Sequence, residues 1–307
     1  MKRWIFVFVA VVVFILLLRG FVFAPYNIPS SGMENALYQG DRIIVNKWSY
    51  GLRIPFMSLF SYHRLNPTTP NPGDIVVFNN PLSTETVTDR REVYISRCLG
   101  IPGDTLLLDT LFNTISGWAK AGPDRKNLYS YPRYREGEMD LLLDLLSIEN
   151  NYLMGGNENE LIRSFSRYEY YLLEQSLGEG NWIKLLNLQD SCSVRELVVP
   201  KAGRTVTFDD WNQILYINTI VLHEEKNVET RNDSLFIDGI FANDYTFTKD
   251  YFWMMSINSI NMADSRLFGF VPQENLIGKA SFIWFSKEPD TGLFSGFRWK
   301  RMMRSVK

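Results

Sequence analysis

Histidine and cysteine are scarce, with two of each in 307 residues. His63 and His223 lie far apart, and no motif for a metal or an organic cofactor stands out, so neither is expected. An excess of one charge is missing too. Against 32 Lys and Arg stand 34 Asp and Glu, a net charge of -2, which supplies no basic surface for nucleic acid. Internal repeats and low-complexity tracts are absent. What the chain has instead is apolar (46%) and aromatic (14%) content, with 21 Phe and 15 Tyr. Charged residues make up an ordinary 21% for a globular protein, and aromatics suit a sheet-rich core because they pack well on pleated surfaces.

An unbroken apolar run covers Trp4 to Leu18, and Phe21 to Ala24 resumes it after Arg19 and Gly20. As a helix, these roughly 21 residues span about 31 Å, enough for the hydrocarbon core of a bilayer. Lys2 and Arg3 precede the run, so the positive-inside rule puts the N-terminus in the cytoplasm. Arg19 falls at the outer interface, where its side chain can snorkel to water. The charge order also fits a cleaved signal peptide, with Val22 and Ala24 as the small residues. Pro25, directly after that cut, argues for an uncleaved anchor over residues 1–24. Both readings export the remainder, 25–307. In an exported chain Cys98 and Cys192 form either a disulfide or two separate buried thiols, and spacing alone leaves both open.

Short β-branched runs bounded by turn residues predict strands at Asp41–Lys47, Gly73–Phe78 and Glu92–Leu99. Strand text returns at Ser234–Gly239 and Gly278–Phe285. Between them the pattern shifts. Apolar residues spaced by three and four predict helices over Met139–Ile148 and Glu158–Leu177, the second capped by Asn157, with a third starting at Asp209–Asp210. The expected fold is therefore mainly β: a β-rich body carrying an α/β insertion at about 109–233, behind one N-terminal helix.

Four stretches in order resemble the type I signal peptidases. The first is Ile28-Pro29-Ser30-Ser31-Gly32-Met33. The second runs from Gly40-Asp41 to Arg53 and Pro55. The third is Tyr94-Ile95-Ser96-Arg97-Cys98-Leu99-Gly100-Ile101-Pro102-Gly103-Asp104. The fourth runs from Met255 through Asp264-Ser265-Arg266 to Gly278. The resemblance covers roughly 1–106 and 235–290. It implies a β catalytic core on the outer membrane surface and substrates with small residues just before the cleavage site.

It also implies a Ser/Lys dyad, in which a desolvated lysine takes the proton of an otherwise weak serine nucleophile. The family's nucleophile position falls on Gly32, its general-base position on Ser96 and its base-orienting position on Met262. Ile257 stands in place of a supporting acid. Ser30 keeps the oxyanion-hole position, and Met33, Arg97, Asp264 and Arg266 are retained, the last two as a structural pair. Ser31 is a displaced alternative nucleophile, although a one-residue slip in extended chain reverses its side chain. Cys98 reads as a small buried residue. His63, His223, Lys47 and Lys279 read as surface groups.

The expectation is a membrane-anchored homologue without its dyad, on the periplasmic side of a bacterial inner membrane. It would contact lipid and bind signal peptides of exported preproteins, an active paralogue or another secretion component. The alternative is an active signal peptidase with a rearranged site. Phe56, Met57, Leu59 and Phe60 read as core or a membrane-facing patch, and the basic C-terminal stretch Arg298–Lys307 as a solvated end or a lipid contact.

Overall fold

The computed structural model describes residues 2–30, 32–34, 36–54, 62–83, 85, 87–108, 112, 126–148, 151, 153–186, 194–231, 234–257, 264–289 and 291–306. Ser31, the Phe56–Phe60 cluster, Cys192 and Met262 lie outside them.

The N-terminal run forms the helix Lys2–Phe21, whose Arg3–Phe21 stretch is long and apolar enough to cross a membrane. Its side chains lie outside the folded body: Trp4, Phe6 and Phe14 are all exposed. A helix apolar all round finds its match in lipid, not in water. The expected surface charge Lys47 is half-buried instead. Its Nζ donates to the carbonyls of Arg19 (3.2 Å) and Gly20 (3.0 Å), while Trp48 Nε1 donates to Phe21 O (2.7 Å). The last carbonyls of the helix have no intrahelical partner, and a cation suits that end of its dipole. The body thus clamps the end of the helix.

The fold is mainly β, as the sequence suggests. All pairings in the main sheet are antiparallel. In spatial order the strands are Phe23–Asn27, Asp41–Asn46, Leu276–Ser286, Ile75–Asn79, Val93–Gly100, Tyr251–Met255 and Val271–Pro272. Arg304–Ser305 pairs with Leu276–Ser286 as well. Alternation sends side chains to two cores. Ile75 and Val77 join Ile28, Met33, Leu37 and Ile257, whereas Val76 and Phe78 join Tyr50, Cys98 and Met254. Burial on both faces explains why the strand Ile75–Asn79 opens on the continuous apolar run Ile-Val-Val-Phe.

The stretch expected as an insertion contributes to two cores. Residues 126–186 form their own sheet, in the order Lys184–Leu185, Lys126–Pro132, Glu160–Ser166 and Leu153–Gly156. That module buries Tyr129, Met139, Leu143, Phe165 and Leu173. Residues after 194 return to the body. Arg195–Val198 pairs with Thr105–Leu108, and the helix Gln213–His223 packs Tyr216 against Phe270 in the core that holds Trp253.

Two helices lie near their expected places, Glu136–Leu145 and Gln213–His223. The long one over 158–177 does not form as expected. Glu160–Ser166 is a strand and only Arg167–Leu177 is helical. Leu161 and Phe165, four apart, satisfy a helical period and also fall on one face of a strand. Asn157 is not the cap. Its Oδ1 accepts from the N–H groups of Asn159 (2.9 Å) and Glu160 (2.7 Å), closing a hairpin turn. The cap is Ser166, in a reciprocal capping box with Glu169.

Candidate functional site

The box at 28–37 is held at both ends by backbone. Ile28 N donates to Asp41 O (2.9 Å), Gly40 N to Ile28 O (3.0 Å) and Leu37 N to Met33 O (2.7 Å). Ile28, Met33 and Leu37 anchor it in the core that also takes Ile257. Gly32 lies buried in the turn, with no side-chain group to offer chemistry. Ser30 is half-buried at its edge.

Ser96 sits in the strand Val93–Gly100 opposite Val76 and is fully buried. Its Oγ donates to Ile95 O at 2.8 Å. Arg97 pairs in register with Ile75 on one side and Met255 on the other, and its Nη1 donates to Gly73 O at 2.8 Å. Cys98 is buried in the Tyr50 core as expected of a small residue. Asp264 and Arg266 form the expected pair: Arg266 Nη2 donates to Asp264 Oδ2 at 2.6 Å. The same oxygen accepts from Ser256 N at 2.8 Å. Both side chains are almost wholly buried, so this pair ties the segment after Tyr251–Met255 to the chain at 264. Lys279, expected at the surface, is half-buried and salt-bridged to Asp74 at 2.6 Å.

A charged cluster that the sequence does not reveal stands at the box. Lys126, at the start of the module's strand Lys126–Pro132, is fully buried. Its Nζ lies 3.4 Å from Glu34 Oε2 and 3.7 Å from Glu169 Oε1. Its backbone N–H donates to Ile257 O at 3.2 Å. Glu34 directly follows Met33 and is itself buried; burial raises its carboxyl pKa above the ordinary value, against the pull of the Lys126 ammonium. Lys126 and Glu34 are 92 positions apart; Glu34 lies in the box at 28–37, but Lys126 occurs in no recognisable motif. No spacing signal joins them.

His223 is buried, not at the surface, because it faces inward at the end of its helix beside Tyr251. Burial, helped by the positive charges of Lys249 and Arg91, lowers its pKa from 6.5 to about 4. Between these values the unfolded chain takes up a proton that the folded chain refuses. Stability should therefore fall by about 3 kcal/mol as pH drops from 6.5 to about 4. Urea unfolding across that range checks it, and His223→Gln should remove most of the slope. His63 is exposed, as expected.

The C-terminal basic stretch is pinned to the body and is not a free tail. Arg301 pairs with Asp41 at 2.7 Å and stacks over Tyr38, and Arg298 donates to Gln39 O at 2.9 Å.

The family described as "Signal peptidase, peptidase S26" matches residues 1–126 and 197–285, well over half of the chain. The chain belongs to the signal peptidase family. The gap in the match coincides closely with the separate module. Relatives named "Signal peptidase I" align along most of its length. That of Buchnera aphidicola subsp. Schizaphis graminum is 28% identical over 302 residues, covering 94% of this chain and 76% of its own. That of Pseudomonas fluorescens is 28% identical over 286 residues, with 91% and 70% covered. That of Helicobacter pylori strain 26695 is 23% identical over 318 residues, with 97% and 90% covered.

Proposed function

We propose that this chain is a membrane-anchored, non-catalytic member of the signal peptidase family that binds the signal peptides of exported preproteins. The observation that carries the reading is Gly32, buried without a side chain where the family's nucleophile stands. Ser96 supports it. A hydroxyl at the base position, donating to the neighbouring Ile95 carbonyl, does not accept a proton near neutral pH. The start of the strand Val93–Gly100, with Val93 exposed and Ile95 half-buried against the core that holds Ile28 and Met33, supplies a wall for an extended peptide. The helix Lys2–Phe21 anchors the chain in the inner membrane, Lys2 and Arg3 keep its start in the cytoplasm, and the body lies on the periplasmic side.

The test is cleavage of a preprotein by the purified full chain in detergent, together with labelling by a serine-directed acylating reagent. No cleavage, no label at Ser30 or Ser31, and retained peptide binding are expected. Cleavage abolished by Ser31→Ala would refute the reading in favour of a rearranged active site.

A further inference from the structure

We propose that Lys126 latches the module at 126–186 onto the box, so that the module closes the groove and must be released before a peptide enters. The inference rests on the peptide-binding reading above and names the regulation of that same site.

One residue joins three segments. The Lys126 ammonium reaches Glu34, next to Met33 of the box, and Glu169, at the start of the module's second helix. Its backbone N–H takes the carbonyl of Ile257, whose side chain shares a core with Met33 and Ile28. The module thus begins its own strand on a backbone acceptor beside the box. An extended peptide bound along the groove needs free backbone partners of this kind.

Glu169 ties the contact to the module's own fold. It completes the capping box with Ser166, and Ser166 is the cross-strand partner of Lys126. The position of Lys126 is therefore set by the module, whereas Glu34 belongs to the box. Because the module has its own sheet and its own core, it can leave as a unit without unfolding. Opening gives up the Glu34 contact and the bond from the Lys126 N–H to Ile257 O.

The test uses the full chain in detergent micelles and a labelled synthetic peptide with a basic start, an apolar stretch and an Ala-Xaa-Ala end. Glu34→Gln is close to isosteric and leaves Lys126 its partner Glu169. Adding Lys126→Met removes the charged latch altogether. If the open state holds a tenth or less of the wild-type population, the double variant should bind at least about tenfold more tightly, and Glu34→Gln alone by a smaller factor. Amide hydrogen exchange should quicken at Lys126 and around Glu34, while the helix Glu136–Leu145 stays protected. Equal peptide affinity in wild type and double variant overturns the latch and leaves the binding reading intact. Absence of binding in both overturns the two together. Fast exchange throughout Glu136–Leu145 in the double variant also overturns the latch, because the pair would then be part of the module's fold and not a releasable contact.

Discussion

Asp264→Ala should cost about 3–5 kcal/mol of folding stability, as expected when one partner of a buried ion pair is removed. Asp264 is fully buried and Arg266 nearly so. The carboxylate accepts from Arg266 Nε and Nη2, from the Arg266 backbone N–H at 3.0 Å and from the Ser256 N–H at 2.8 Å. An alanine leaves a buried guanidinium and two buried N–H groups without that acceptor, and each loss carries its own desolvation cost. Asp264→Asn should cost less, since its amide oxygen still accepts while the charge is lost. Urea unfolding of the three proteins, followed by tryptophan fluorescence, checks the order. A loss under about 1 kcal/mol for Asp264→Ala would show that water reaches the cluster, and the pair would then be free for a role in the groove.

That expectation also marks how much the sequence carries. Asp264 and Arg266 are legible as a pair because they lie two positions apart in a stretch with family resemblance, and the structure places them together. The central strand at 75–78 is legible because it is buried on both faces and so is apolar throughout, Ile-Val-Val-Phe. The segment 158–177 is not, because Leu161 and Phe165 fit either period and the deciding signal, Ser166 with Glu169, lies inside the run. His223 is misread because neighbours in sequence give no hint of Tyr251, Lys249 or Arg91, which surround it only after folding. The Lys126–Glu34 contact fails for the same reason on a larger scale: it joins parts of the chain with no shared pattern. Local chemistry is readable from the chain, and long-range charge pairing is not.

This difference decides what placing the family's Ser and Lys at positions 32 and 96 should do. Gly32→Ser combined with Ser96→Lys is expected to leave preprotein cleavage at least about 10⁴-fold below that of an enzyme with an intact dyad, because catalytic groups act as a unit and losing one removes most of the benefit of the others. The new lysine would enter a fully buried position opposite Val76. Burial favours the neutral amine that a base requires. Orientation is the obstacle. By the family resemblance the base-orienting position falls on Met262, which has no hydrogen-bonding hydroxyl, and the supporting-acid position on Ile257, packed with Met33 in the core. A lysine with a suitable pKa but an unfixed amine seldom meets the serine at hydrogen-bonding distance, and misplacement by about 1 Å can cost roughly 10²-fold. The module adds a second obstacle, since Lys126 sits on Ile257 and Glu34 whatever stands at positions 32 and 96. Single-turnover cleavage of a preprotein, with acylation of residue 32 measured separately, divides the two causes. Slow acylation that quickens when Met262→Ser is added assigns the deficit to orientation. Slow acylation that quickens instead with Lys126→Met and Glu34→Gln assigns it to access. Turnover within about tenfold of an intact enzyme in the first double variant would show that positions 257 and 262 matter far less than the geometry of the family's chemistry requires.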